Sequence, residues 1–109
     1  MGAFNRVAVD LCCPWCSAQV QVYVQFKFGD CWQFDYRLGD TLAWGGNDQG
    51  RPGLARVVVS GEAETCPACG ADPPDWPFYV FVEHDRLVAA APADGRFDFL
   101  HTDDTWLVL

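Results

Sequence analysis

The chain has 109 residues, half of them hydrophobic, with five Trp and eight Phe. That is the size of one small domain and too apolar for a disordered chain, so a single folded domain over residues 1–109 is expected. Fifteen acidic side chains against seven basic ones give a formal net charge of −8, which repels phosphate backbones and argues against nucleic-acid binding through a charged patch.

The charge is uneven. Residues 1–54 carry five acids and four bases, whereas residues 55–109 carry ten acids and three bases. An acidic second half keeps the protein in solution and offers a surface to a basic protein partner. The opening residues, MGAFNRVAVDL, lack the basic segment and apolar region of a secretory signal. No stretch approaches the roughly 18 apolar residues of a membrane-spanning helix. Gly2 does not begin a myristoylation pattern, because Arg6 stands where Ser or Thr is needed. A cytoplasmic protein is expected, and in a reducing compartment its six cysteines read as metal ligands or catalytic thiols rather than a disulfide framework.

In chain order, Phe4–Leu11 is a short strand candidate. From Val20 to Phe28 the order VQVYVQFKF puts Val20, Val22, Val24, Phe26 and Phe28 on one face, the mark of a half-buried antiparallel strand. Gly29-Asp30 supplies a turn, and CWQFDYRL alternates again with Trp32, Phe34, Tyr36 and Leu38 in phase. These two runs predict a hairpin. The segment Gly39–Gly53 has five glycines and a proline and predicts a long loop of the kind that is often functional. Trp44 within it is either a plug on the core or a partner contact, since an indole is costly to leave exposed.

Leu54–Ser60 is a further strand. After the breaker-rich ADPPDWP, the run FYVFVEHDRLVAAA predicts a hairpin turning at His84-Asp85. Asp94-Gly95 is a turn signal. Phe97–Leu100 and Thr105–Leu109 are expected as two last short strands around a turn at Thr102–Asp104. No segment shows a 3.6-residue apolar period, so helix is expected to be scarce.

Two tetrapeptides match: Cys13-Pro14-Trp15-Cys16 and Cys66-Pro67-Ala68-Cys69, with Gly70 after the second and 49 residues between them. Each can form a tight turn with both sulfurs on one side and backbone N–H groups aimed at the thiolates. Proline pre-sets the turn, and Gly70 permits a positive φ beside the second ligand. Two such turns brought together make a tetrahedral S₄ site, which suits Zn²⁺, with iron as second choice.

In this arrangement the chain resembles zinc-ribbon and rubredoxin-like knuckle proteins, whose signature is a pair of CPxCG-type turns at hairpin tips. The resemblance covers only those eight or nine residues. Ser17 stands where the family usually has Gly, and the 49-residue gap requires a larger sheet between the knuckles. It implies a closed structural Cys₄ site at Cys13, Cys16, Cys66 and Cys69, and no reaction.

The CPWC motif also resembles the active motif of some thioredoxin-fold oxidoreductases, which makes Cys13 and Cys16 a candidate redox dithiol. There the first cysteine sits at a helix N-terminus that lowers its pKa. Here an alternating strand follows instead, which weighs against that alternative. Cys12 and Cys31 are expected to be small buried or semi-buried thiols, with Cys31 less buried than the aromatics that follow it. His84 reads as a turn residue and His101 has no ligand-like neighbour. Glu83, His84 and Asp85 would not converge, because neighbours on a strand point to alternate faces. Asp103-Asp104 read as a solvated turn. No phosphate-binding loop, nucleophile elbow or dinucleotide fingerprint is present.

The expectation is a mainly β domain, an antiparallel sheet or open barrel with a Cys₄ zinc-knuckle site and little helix. Its expected role is non-catalytic: an adaptor or inhibitor that meets a protein partner through its acidic surface or through the loop bearing Trp44. A nucleic-acid-binding ribbon is disfavoured by the charge.

Overall fold

Val7 and Val9 alternate with Arg6, Ala8 and Asp10, which gives β1 (Asn5–Cys12) one apolar face. The run QVQVYVQF does the same for β2 (Gln19–Phe26). The two strands pair as an antiparallel hairpin from Asn5↔Phe26 to Cys12↔Gln19. The computed structural model describes residues 4–70, 76–97 and 105–109, and among these it contains strands and no helix. The other strands are β3 (Gly29–Asp30), β4 (Asp35–Arg37), β5 (Asp48–Gln49), β6 (Val57–Ala63), β7 (Pro77–Glu83), β8 (Arg86–Pro92) and β9 (Trp106–Val108).

The main sheet runs β4-β1-β2-β6-β7-β8, with β9 also on β6, while β3 and β5 form a separate pair. β4 lies parallel to β1, so the sheet is mixed rather than purely antiparallel. β7 occupies one edge of β6. The other edge is shared: β2 takes Gly61–Ala63 and β9 takes Val57–Val59. The chain after β4 crosses to β8, where the Gly39 N–H donates to the Leu87 carbonyl and the Leu87 N–H to the Asp40 carbonyl. Thr41 bridges Arg86 there. This crossing ties the two ends of the curled sheet into a half-barrel. Its concave face is filled by Val7, Val22, Val24, Phe26, Val57, Val59, Phe78, Val80 and Val82, joined by Phe28, Tyr36 and Leu42. Each such side chain contributes about 1.5–3 kcal/mol by leaving water.

The hairpin expected between Val20–Phe28 and Cys31–Leu38 does not form. β2 already has β1 on one edge and β6 on the other, so no ladder is left for residues 31–38. Asn5, fully buried, captures the departing chain instead. Its Nδ2 donates to the carbonyls of Phe28 (3.3 Å) and Asp30 (3.1 Å), and its Oδ1 accepts from the Phe34 N–H (3.1 Å). Positive φ values at Gly29 (85°) and Gln33 (60°) turn the backbone. In consequence Tyr36 is buried while Trp32, Phe34 and Leu38 are exposed.

Cys31 is buried, as expected, but it is more rather than less buried than Trp32 and Phe34. It sits inside the β3–β5 turn, its N–H donating to the Asn47 carbonyl (3.0 Å) and its thiol to the Gly29 carbonyl (3.5 Å). The Gly39–Gly53 segment is likewise not a plain loop. It supplies the crossing to β8, strand β5 and Trp44, which is half-buried against the core and edge-on to Phe28 at 5.4 Å.

The hairpin at His84-Asp85 forms as the sequence predicts. Both residues have positive φ, 49° and 66°, as a two-residue turn of the favoured hairpin type requires. Thr105–Leu109 supplies β9, but its partner is β6. Residues 98–100, His101 and the turn at 102–104 lie outside the described residues. Phe97 packs edge-on to Tyr79 at 5.0 Å, and the Gly95 N–H donates to the Tyr79 hydroxyl (3.0 Å).

Candidate metal centre

The first cysteine turn caps the β1–β2 hairpin. Its neck is closed by the Cys13 N–H donating to the Ala18 carbonyl (2.9 Å), and the Ser17 N–H donates back to the Cys13 carbonyl (2.8 Å). The second turn follows β6, where the Gly70 N–H donates to the Cys66 carbonyl (2.9 Å). Residue 64 fixes its approach: the Glu64 N–H donates to the Tyr23 carbonyl (2.9 Å) on β2. Antiparallel pairing of β2 with β6 thus places the end of β6 beside the hairpin that carries the first turn.

The sulfurs of Cys13, Cys16, Cys66 and Cys69 all lie within 4.8 Å of one another, and Cys13 Sγ is 3.9 Å from Cys69 Sγ. A tetrahedral metal–thiolate centre with bonds of about 2.3 Å has sulfur–sulfur edges of about 3.8 Å. The cluster therefore has the dimensions of an S₄ metal site, and the four residues brought together are the four the sequence predicts. Cys13 and Cys66 are buried, whereas Cys16 and Cys69 face solvent.

The electrostatics fit a cation. The backbone N–H groups of Cys69 and Ala68 donate to the Cys66 sulfur and bring its pKa down to about 7. The Ala18 N–H favours the Cys16 thiolate in the same way, but Cys13, desolvation, Cys69 and Cys66 outweigh it and push Cys16 up to about 12. Four thiolates cannot all ionise this close together without a positive charge between them. A metal ion bound there would supply that charge, and four cysteine sulfurs would fill its tetrahedral shell without leaving a position for substrate.

An aromatic pair braces the site. Trp15, inside the first turn and half-exposed, meets Trp76 edge to face at 4.7 Å. Trp76 is buried and continues into the core through Phe78 at 5.5 Å. No helix follows Cys16; β2 does. The arrangement that would activate Cys13 as a redox nucleophile is therefore missing from its sequence neighbourhood.

Cys12, expected to be buried or semi-buried, is exposed. Successive side chains of a strand alternate in direction, so Cys12 takes the outer face when Cys13 turns inward, and its thiol donates to the Ser17 carbonyl (3.4 Å). His84 is exposed in its turn and has no part in the cluster.

One group near the centre had no signal in the sequence. The Arg6 guanidinium makes a two-pronged pair with Asp35 (2.8 and 3.0 Å), reaches Glu64 (3.1 Å) and lies 4.0 Å above the Tyr23 ring. Gln25 Nε2 donates to the same Glu64 carboxylate (3.0 Å). This network joins β1, β2 and β4 to the residue two places before Cys66, and Arg6 holds the Asp35 carboxyl below its ordinary range. Its members are 29 and 58 residues apart in the chain, too far for a local pattern to link them. Comparison with protein families, with curated proteins and with solved structures finds no match, so the geometry of the four cysteines carries the functional reading alone.

Proposed function

We propose that this protein is a non-catalytic β domain stapled by a structural Zn²⁺, with iron as the second choice, at Cys13, Cys16, Cys66 and Cys69. One observation carries the reading: two turns separated by 49 residues bring four sulfurs within 4.8 Å of one another. Metal binding then supplies part of the folding free energy, because the ligands must be gathered and deprotonated. The biological role proposed is that of a cytoplasmic interaction module, an adaptor or inhibitor, presenting its net charge of −8 to a basic protein. The packing of Trp44 on Phe28 supports a plug on the core, so the acidic surface is the better candidate for the contact.

Metal analysis of the purified protein tests the first part, with one equivalent of zinc per chain expected. The second part is tested by affinity capture at low and high salt. A specific basic partner held at low salt and released at high salt supports it; recovery of no specific partner at low salt counts against it.

A further inference from the structure

We infer that the cysteine centre is also an oxidation site, in which peroxide joins Cys69 to Cys13 across the two turns and releases the metal. This rests on the metal reading above and adds a reaction to it. Cys16 and Cys69 face solvent while Cys13 and Cys66 are buried, so a small oxidant meets an outer sulfur first. The outer Cys69 sulfur lies 3.9 Å from the inner Cys13 sulfur. A disulfide of about 2.05 Å requires the two turns to close by only about 2 Å.

The oxidant class is a hydroperoxide. The Cys69 thiolate attacks one peroxide oxygen, so an S–O bond forms, the O–O bond breaks, and a sulfenic acid and hydroxide result. The Cys13 thiolate then attacks that sulfur, forming the S–S bond as the S–O bond breaks and a second hydroxide leaves. The two thiolates lose two electrons and the peroxide gains them. Only Cys16 and Cys66 would then remain as thiolate ligands, too few to hold a metal ion. The new bond runs from the end of β1 to the segment after β6, the same span the metal held, so the oxidised protein retains a staple between its turns. Cys12 directs its thiol to the Ser17 carbonyl and takes no part.

The test treats the zinc-loaded full chain with hydrogen peroxide, follows release with a chromogenic chelator, and maps disulfides by mass spectrometry without reduction. Release of one equivalent of zinc, loss of two titratable thiols and a disulfide linking the Cys13 and Cys69 peptides are expected. Dithiothreitol and added zinc should reverse all three. The Cys12→Ser variant should behave identically. Zinc retained through peroxide treatment overturns the inference, as does a disulfide confined to one turn or one that includes Cys12. If the purified protein holds no zinc, the metal reading fails on that measurement. The disulfide map of the same sample then decides separately whether Cys13 and Cys69 are the oxidised pair.

Discussion

Ser17 and Gly70 hold the same place in the two cysteine turns. Each donates its N–H to the carbonyl of the cysteine four residues earlier, at 2.8 and 2.9 Å, and each has a left-handed backbone, with φ of 61° and 70°. At that φ a side chain costs about 1–2 kcal/mol that glycine does not. Ser17 is therefore the strained member of the pair. Ser17→Gly should stabilise the metal-loaded protein by about 0.5–1 kcal/mol, after the extra freedom it gives the unfolded chain. Gly70→Ala should destabilise by about 1 kcal/mol through the backbone alone, since a Cβ there meets nothing within 4 Å. Denaturant midpoints of the two variants measure both.

Cys13→Ser separates a structural centre from a redox dithiol. Cys13 is buried and one of four cysteines whose sulfurs converge. Its loss should abolish zinc binding and remove more than the margin of about 5 kcal/mol that small domains possess. Circular dichroism and metal analysis should show an unfolded or strongly destabilised, zinc-free protein. A variant that stays folded without zinc and loses only thiol–disulfide exchange would restore the redox alternative.

Protons compete with the metal. Cys66 has its pKa lowered to about 7 from an ordinary value near 8.5. In the metal-free protein it contributes stability that is present above the ordinary thiol pKa and lost as pH falls through about 7. Cys16, raised to about 12, has the opposite sign. Its contribution is present below the ordinary value and lost only as pH rises through about 12. Zinc binding at about pH 8 therefore displaces no proton from Cys66, whereas at about pH 6 it displaces nearly one. Calorimetry in buffers of different ionisation enthalpy should find about one more proton released at the lower pH, with weaker affinity.

Asn5→Ala should cost about 3 kcal/mol or more. It leaves the Phe34 N–H and the carbonyls of Phe28 and Asp30 without their side-chain partner, in a place closed to water. The residue is polar and lies at the start of a strand, where a surface substitution would cost almost nothing. Thermal unfolding of the metal-loaded variant distinguishes the two cases: a drop of about 10–20 °C fits the latch, and an unchanged midpoint contradicts it.

The sequence by itself determined the buried face of β2, the turn at His84-Asp85 and the four cysteines that cluster. Alternation in VQVYVQFKF decided which side of β2 is buried, and two adjacent residues, His84 and Asp85, were enough to mark a hairpin. The repeated CPxC spacing named all four cysteines of the centre. These are local properties, written within a few residues of one another, and the physics that sets them is short-ranged. Tertiary structure decided who lies beside whom. An alternating strand states which face seeks the core and says nothing of its neighbours, so β2 took β1 and β6 and left residues 31–38 to wrap around Asn5. The same wrapping buried Cys31, exposed Trp32, and brought Asp35 to Arg6. Burial and pairing at these positions depend on contacts made across 25 to 58 residues, where competition among edges and cores, rather than local pattern, selects the partner.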